Sequence, residues 1–203
     1  MHFLYKNKFL IGINEYFGAS KLTELLLPPL DQTPARMTPL GVPDAWYRQL
    51  PYYGLDHGAF HGAAISSEYF VPLSAGAAAI KAVLPLAPEI APLSMVVEFR
   101  VIAPDDAWMS TANGESSGGE PLFALDFQWA PDEQATLPII AKIEQALASF
   151  KPLPHWAKLF TLSPSNYLPL YRRLDAFKRI ANELDPGGKF RNSFINEKVF
   201  AEF

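Results

Sequence analysis

The sequence contains no cysteine, no basic stripe and no long apolar run near its start, and each absence excludes a class of protein. Without cysteine, its 203 residues form no disulfide, no thiolate metal site and no cysteine nucleophile. With 17 Lys and Arg against 21 Asp and Glu, the formal net charge of -4 offers no field for nucleic-acid phosphates. The apolar stretch after Lys8 is too short for a membrane span or a signal peptide. We therefore expect a cytoplasmic globular protein.

Proline is abundant, with 19 residues in the chain. The prolines separate segments rather than form a tract, which favours a loop-rich domain over disorder. Residues 1–63 carry few periodic signals, and we predict a loop-rich N-terminal segment there. A structureless stretch of this length is unusual inside a compact domain, so it indicates a segment that wraps over another part of a protein.

From residue 64 onward the apolar pattern alternates between strand and helix periods. It predicts an α+β domain over 64–162, with strands at 64–71, 94–103, 122–130 and 155–162 and helices at 74–90 and 131–150. This order is the ferredoxin-like split βαβ arrangement, an antiparallel sheet with its helices on one face. Residues 163–203 are predicted to form a helix from Tyr167 to Leu184, followed by a short aromatic and basic arm that would pack against another surface.

Alternation in two neighbouring strands places polar and apolar side chains on opposite faces of the predicted sheet. One face receives Glu98, Arg100, Asp126 and Gln128, and the face toward the helices receives Val97, Phe99, Leu125 and Phe127. Four polar groups amid apolar strands indicate either a binding wall or the ordinary solvated face of an antiparallel sheet. The pattern alone favours the solvated face.

Two further motifs have ordinary structural interpretations. His57 and His61 are four residues apart, a spacing that suits a metal on a helix, but flanking glycines argue against a helix there. No third ligand is evident, so we expect no metal. The segment 184–192 contains two glycines, yet it follows a helix and lacks the spacing of a phosphate-binding loop, so we interpret it as a helix stop.

Five segments in order resemble one protein family: LGVPDAWYRQLP (40–51), SSEYFVP (66–72), VEFRVIAPDDAWMS (97–110), PHWAKLF (154–160) and LDPGGKFRN (184–192). Together they are similar to the C-terminal half of bacterial alditol and xylitol oxidases. Those enzymes belong with the D-arabinono-1,4-lactone oxidases in the vanillyl-alcohol-oxidase group of flavoproteins. The resemblance runs from about Glu15 to the end of the chain.

The resemblance implies a substrate-binding, or cap, domain whose sheet covers the isoalloxazine ring of FAD. The implied reaction oxidises a sugar alcohol or an aldonolactone by hydride transfer to the flavin, with dioxygen as acceptor giving hydrogen peroxide. Glu98, Arg100 and Lys158 are the implied catalytic residues. Glu98 and Arg100 would hold substrate hydroxyls, and Lys158 would favour the negative charge that develops on the flavin ring.

The resemblance also extends the site and marks its departures. It implies that Asp126 and Gln128 contact substrate with Glu98, Arg100 and Lys158, and that His155 and Asn192 lie with Lys158 at the cofactor. Asp126 and Gln128 stand where polyol oxidases resembling this chain have His and Thr. Ala157 replaces a glycine, which would crowd the backbone near the ring.

The FAD-binding domain of the family lies N-terminal to this region, and nothing in the sequence supplies its pyrophosphate loop. We therefore expect FAD to be held mainly by a domain absent from this chain, with that domain or chain as a partner. The surface left uncovered would be apolar and favour a homo-oligomer. A second hypothesis stays open: a truncated, catalytically inert remnant or binding module that keeps the fold but cannot bind FAD alone.

Overall fold

The computed structural model describes residues 15–16, 19–20, 45 and 65–201. The chain divides into two compact units, Met1–His61 and Gly62–Phe203. In the first unit, β1 (Glu15–Tyr16) pairs antiparallel with β2 (Ala19–Ser20). The rest of the predicted loop-rich segment, with the histidine pair at 57 and 61, lies outside the described residues.

A four-stranded antiparallel sheet forms the centre of the second unit. Its strands are β3 (Ile65–Pro72), β4 (Ser94–Ile102), β5 (Leu122–Trp129) and β6 (Leu153–Pro154), in the spatial order β4, β5, β3, β6. The two central strands are therefore the first and third of this unit, which is the ferredoxin-like order. The predicted α+β class is confirmed.

A helical segment follows each of β3 and β5, as the sequence predicted. The first is α1 (Gly76–Val83) and α2 (Ala87–Ile90), joined by a 3-10 turn at Leu84–Leu86, where Pro85 interrupts the helix. Gly76 packs so closely on β5 that a Cβ there would lie 2.8 Å from Cγ of Phe123. The apolar run Leu73–Ile90 is long and apolar enough to cross a membrane by length and composition, yet Ala79, Val83 and Ile90 belong to the core.

The second segment is α4 (Glu133–Leu147). The short α3 (Gly114–Ser117) precedes it in the chain. The α4 helix begins where the side chain of Asp132 accepts a hydrogen bond from the N–H of Ala135, at 3.0 Å. Its buried apolar face consists of Ile139, Ile140, Ile143 and Leu147.

The strand register confirms the two predicted faces. Glu98 pairs with Asp126, and Asp126 pairs on its other side with Glu68, so these three side chains share a face. Phe99 pairs with Leu125, which pairs with Tyr69, on the opposite face. One extra residue in β4, between Ser94 and Val96, forms a bulge before this register is established.

The packing of the apolar face differs from prediction at the edge strand. Leu125 and Phe127 are buried, but Val97 is 40% and Phe99 50% exposed. The reason is that β4 is an edge strand and extends past the helices. An open apolar groove of about 400 Å³ runs between β4 and the helices α1 and α2. Exposed surface of this kind agrees with the predicted homo-oligomer, which stays a prediction.

The predicted fourth strand at 155–162 is wrong. The observed strand, Leu153–Pro154, ends before that range, because residues 155–158 form a tight turn. The segment 111–121, which lies between β4 and β5, contains α3. That helix is capped by Asn113, whose Oδ1 accepts from the N–H of Ser116 at 3.0 Å.

The C-terminal part contains three helices instead of one helix and an arm: α5 (Pro164–Tyr167), α6 (Leu174–Leu184) and α7 (Ser193–Lys198). The predicted helix start at Tyr167 is wrong because Pro169 enforces a 3-10 turn after it. The predicted end is correct, since the carboxylate of Asp185 accepts from the N–H groups of Lys189 and Phe190. The hydroxyl of Tyr167 donates to the carbonyl of Lys198, at 2.8 Å, so the tail packs on its own unit.

A ring of alternating charges as the candidate functional site

Three adjacent strands place carboxylates side by side on the polar face. Because Glu68, Asp126 and Glu98 occupy one register level, their side chains project in a row across β3, β5 and β4. Arg100 lies two residues beyond Glu98 on the same face. The alternation of each strand is thus sufficient to bring a cation beside three acids.

A tight turn after β6 adds Lys158 to this group. The N–H of His155 donates to the carbonyl of Glu68 at 2.9 Å, and the N–H of Leu159 donates to the carbonyl of Ser66 at 2.8 Å. Between these two hydrogen bonds the chain advances four residues, from His155 to Leu159, while β3 advances only two. The turn therefore bulges out from the edge of the sheet. The N–H of Lys158 closes it on the carbonyl of His155, at 3.1 Å.

Four of these side chains form a closed ring in which charges alternate. We call Glu68, Arg100, Asp126 and Lys158 the charge ring. The Nζ of Lys158 lies 2.9 Å from both Glu68 Oε2 and Asp126 Oδ1. The Nη2 of Arg100 lies 3.2 Å from Glu68 Oε1 and forms an ion pair with Asp126 Oδ2. Every carboxylate therefore contacts both cations.

Burial divides the charge ring into an inner and an outer layer. The side chains of Glu68 and Asp126 are 5% and 2% exposed, whereas those of Lys158 and Arg100 are 18% and 45% exposed. Burying a carboxylate without a partner costs free energy. The two buried acids therefore need the two cations and hold them in place. The two cations are therefore the more exposed members of the ring.

Two more predicted residues flank the ring. The Nε2 of Gln128 donates to both carboxylate oxygens of Asp126, at 3.3 and 3.2 Å. The exposed carboxylate of Glu98 lies 3.8 Å from Nη2 of Arg100. The structure therefore brings together five predicted site residues, namely Glu98, Arg100, Asp126, Gln128 and Lys158.

His155 lies beside the charge ring. Its ring stacks on Phe70 with centroids 6.1 Å apart, and its Nδ1 accepts from the N–H of Ala157 at 3.0 Å. Burial lowers the pKa of the imidazole, opposed chiefly by the attraction of Glu68. With Nδ1 as acceptor, the proton belongs on Nε2, which lies 4.0 Å from Glu68 Oε2.

The turn is anchored by aromatic packing. The indole N–H of Trp156 donates to the carbonyl of Met109 at 2.9 Å. Its ring contacts Tyr167 edge-on and packs on Tyr171, at centroid distances of 5.7 and 5.2 Å. These contacts hold the turn that carries Lys158.

The structure also bears on two further predictions, the crowding of the backbone at Ala157 and the cofactor contact of Asn192. Among the described residues, Lys151 is the single non-glycine residue with a positive φ, so the turn at Ala157 does not require glycine. Asn192 is not part of the cluster: its Oδ1 accepts from the N–H of Ile195 at 2.9 Å and caps α7. A cofactor contact by Asn192 stays a prediction.

Glu68 belongs to the cluster although its sequence pattern was not used to predict it. The signal was available, because Ser66, Glu68 and Phe70 alternate with Ser67, Tyr69 and Val71 in the strand 65–72. A glutamate in the middle of a buried strand needs partners. Pairing this strand with β5 would have placed it beside Asp126.

The described domain is thus an α+β fold whose open antiparallel sheet carries two buried acids beneath two more exposed cations. The chain belongs to the D-arabinono-1,4-lactone oxidase family, because residues 63–198 match that family. This confirms the resemblance drawn from the five segments.

Three relatives bear on the activity. The chain is 37% identical to the alditol oxidase of a Streptomyces species over 157 residues, which cover 77% of this chain and 37% of the relative. It is 36% identical to a long-chain alcohol oxidase of an uncultured marine euryarchaeote over 107 residues, 51% of this chain and 22% of the relative. It is 27% identical to the L-gulono-1,4-lactone dehydrogenase of Mycobacterium tuberculosis over 128 residues, 63% of this chain and 28% of the relative. The chain thus spans about a third or less of their length.

Proposed function

We propose that this chain is the substrate-binding portion of an FAD-dependent oxidoreductase that oxidises a sugar alcohol or an aldonolactone, with dioxygen as acceptor. The charge ring is the observation that carries the proposal, because it presents fixed N–H donors on an open sheet face. Its supports are the family and the similarity to an alditol oxidase. We also place the protein in the cytoplasm, in keeping with its lack of cysteine.

The outer residues have the chemistry needed to hold a polyhydroxylated molecule. Arg100 has N–H groups that can donate to hydroxyl oxygens, and the nearby carboxylate of Glu98 can accept from hydroxyl protons. Lys158 is fixed by two acids, so its ammonium group keeps one position without a ligand. Such preorganisation stabilises charge that develops during a reaction.

The donor set fits the polar edge of a flavin ring and not its pyrophosphate. A pyrophosphate needs unpaired cations or a cradle of backbone N–H groups, whereas Arg100 and Lys158 are each bound by two acids. We therefore propose that a separate domain holds most of FAD, with Lys158 and His155 facing the ring. When bound, the flavin would supply the acceptor for the two electrons that leave the alcohol.

The test is reconstitution with an FAD-binding domain. Purified alone, the 203 residues are expected to be colourless and to produce no hydrogen peroxide from xylitol, sorbitol or an aldonolactone. Mixed with the N-terminal domain of the alditol oxidase relative, they are expected to produce peroxide from one of these substrates. A mixture that has a flavin spectrum but oxidises none of them would contradict the proposal.

A second candidate is a binding module that has lost catalysis. It is favoured by one observation, namely that both carboxylates of the charge ring are already engaged by both cations. In that case the chain would bind polyols through the charge ring, but reconstitution would restore no turnover. Ligand binding measured on the chain alone, beside the peroxide assay, separates the two candidates.

A further inference from the structure

The charge balance of the polar face depends on Glu68, a residue to which the family resemblance gives no role. The two cations of the charge ring are matched by two buried acids, Glu68 and Asp126. Glu98 adds a third carboxylate next to Arg100. Three acids against two cations leave this face with one net negative charge at neutral pH.

Because Glu68 is buried beneath the two cations, its negative charge acts on a ligand bound above them. Its carboxylate is buried and contacts both cations, through Oε1 to Arg100 and Oε2 to Lys158. Water does not screen a buried charge as it screens an exposed one, so the field of Glu68 acts on whatever lies above the ring. The exposed Glu98 is screened more strongly.

From this geometry we propose that Glu68 is a specificity-determining residue, which makes the site select neutral polyhydroxylated ligands over sugar acids and sugar phosphates. The inference rests on the proposed function. A hydroxyl oxygen needs an N–H donor but no net positive charge, and Arg100 and Lys158 still offer donors. A carboxylate or phosphate gains little from cations that two acids already neutralise, and it is repelled by the net negative charge to which the buried Glu68 contributes.

The backbone gives Glu68 a second contact with the same turn. Its carbonyl accepts from the N–H of His155, while its side chain binds Lys158 at the far end of the turn. A Glu68→Gln substitution keeps the size of the side chain and the backbone bond, removes the charge, and leaves one oxygen to accept from a cation, since the amide nitrogen donates. It therefore changes the charge of the face with little change in its shape.

The experiment compares a neutral ligand with an anion of the same carbon skeleton. Binding of xylitol and of xylonate to the full 203-residue chain is measured by NMR titration for the wild type, Glu68→Gln and a control. The wild type is expected to bind xylitol at least tenfold more tightly than xylonate. Glu68→Gln is expected to reduce that ratio about fivefold to tenfold, the effect of one unit charge a few ångströms from a ligand in a half-exposed site.

Glu89→Gln is the matched control. It makes the same chemical change at an exposed ion pair with Lys142, in the helical layer, and is expected to leave the ratio unchanged. Each chain is first checked for a cooperative unfolding transition. If Glu68→Gln does not fold, the wild-type ratio alone decides, because equal binding of xylitol and xylonate would overturn the inference.

The outcomes distinguish this inference from the proposed function. A wild type that binds xylitol, with the same ratio in Glu68→Gln, overturns the role of Glu68 and leaves the proposed function in place. A folded wild type that binds neither ligand overturns both. A shift of the ratio in Glu68→Gln but not in Glu89→Gln supports the inference.

Discussion

The two faces of the central sheet each bury acid, but they surround it with different partners. On the helix side, Glu144 of α4 accepts from the hydroxyl of Tyr69 at 2.7 Å, from the N–H of Thr161 at 2.8 Å, and from the Thr161 hydroxyl. On the other side, Glu68 and Asp126 are bound by Arg100 and Lys158. One site uses neutral donors, and the other uses cations.

This difference separates a structural acid from a binding site. Donors of the Glu144 site come from the buried Tyr69 and from the backbone, so the network ties α4, β3 and the segment after β6 together. Both carboxylate oxygens of Glu144 are engaged by these donors. In the charge ring the acids are buried but the cations reach the surface, so it can act on another molecule. Opposite faces of one strand, β3, supply both sites.

The largest effect is expected from Glu144→Ala. It leaves the Tyr69 hydroxyl and the Thr161 N–H without their acceptor, and it opens a cavity beneath α4. Together these changes should lower the free energy of unfolding by about 3 kcal/mol. Urea unfolding measures this. Polyol binding, measured under conditions where the variant stays folded, should be unchanged. Loss of binding with little loss of stability would reverse the roles given to the two faces.

Lys158→Ala should affect turnover on the opposite face. In the reconstituted enzyme it is expected to lower kcat by roughly 10²-fold, which corresponds to about 2.7 kcal/mol, because one preorganised cation is removed. Lys142→Ala is the control, since Lys142 pairs with an exposed glutamate in the helical layer. Steady-state peroxide assays measure both. An unchanged rate would leave the ring as a binding device without a catalytic cation.

Alkaline titration tests the helix side through Tyr69. Burial, followed by the nearby Glu144, raises the pKa of this phenol far above its usual value near 10. The phenol therefore ionises in the unfolded chain first, and stability is lost as pH rises above about 10, by up to about 1.4 kcal/mol per pH unit. Urea unfolding between about pH 9 and pH 11 should show a shallower decline for Tyr69→Phe. Parallel curves would contradict the buried state of Tyr69.

The sequence predicted the sheet because its signals are local. Alternation in the strands at 94–102 and 122–129 determined the faces, and a capped apolar stripe determined α4. The turn at residues 155–158 was missed because its apolar residues fit a strand pattern, while the turn depends on packing of Trp156. Glu68 was missed because its role depends on pairing with β5, a strand distant in the sequence. The alternation of its strand places Glu68 on one face, but which strand it pairs with leaves no periodic trace in the sequence.

The smallest effect is expected from His155, at the border of the charge ring. Burial is the main cause that lowers the pKa of its imidazole, so the unfolded chain takes up a proton near pH 6.5 before the folded chain does. Stability from this residue is therefore complete above about pH 6.5 and declines as pH falls below it. Because the side chain is partly exposed, the decline should be about 0.5 kcal/mol or less.

His155→Asn is the variant for this test, because an amide oxygen can still accept from the N–H of Ala157. The difference between wild-type and variant unfolding curves from about pH 8 to about pH 5 isolates the imidazole from the carboxylates. The wild type should lose stability relative to the variant as pH falls. A relative gain would mean that protonated His155 closes the 4.0 Å gap to Glu68, and that burial is outweighed by the acid. Acidification would then add a third cation to the polar face. Glu68 would gain a further charged partner, whereas Glu144 on the other face would keep neutral donors.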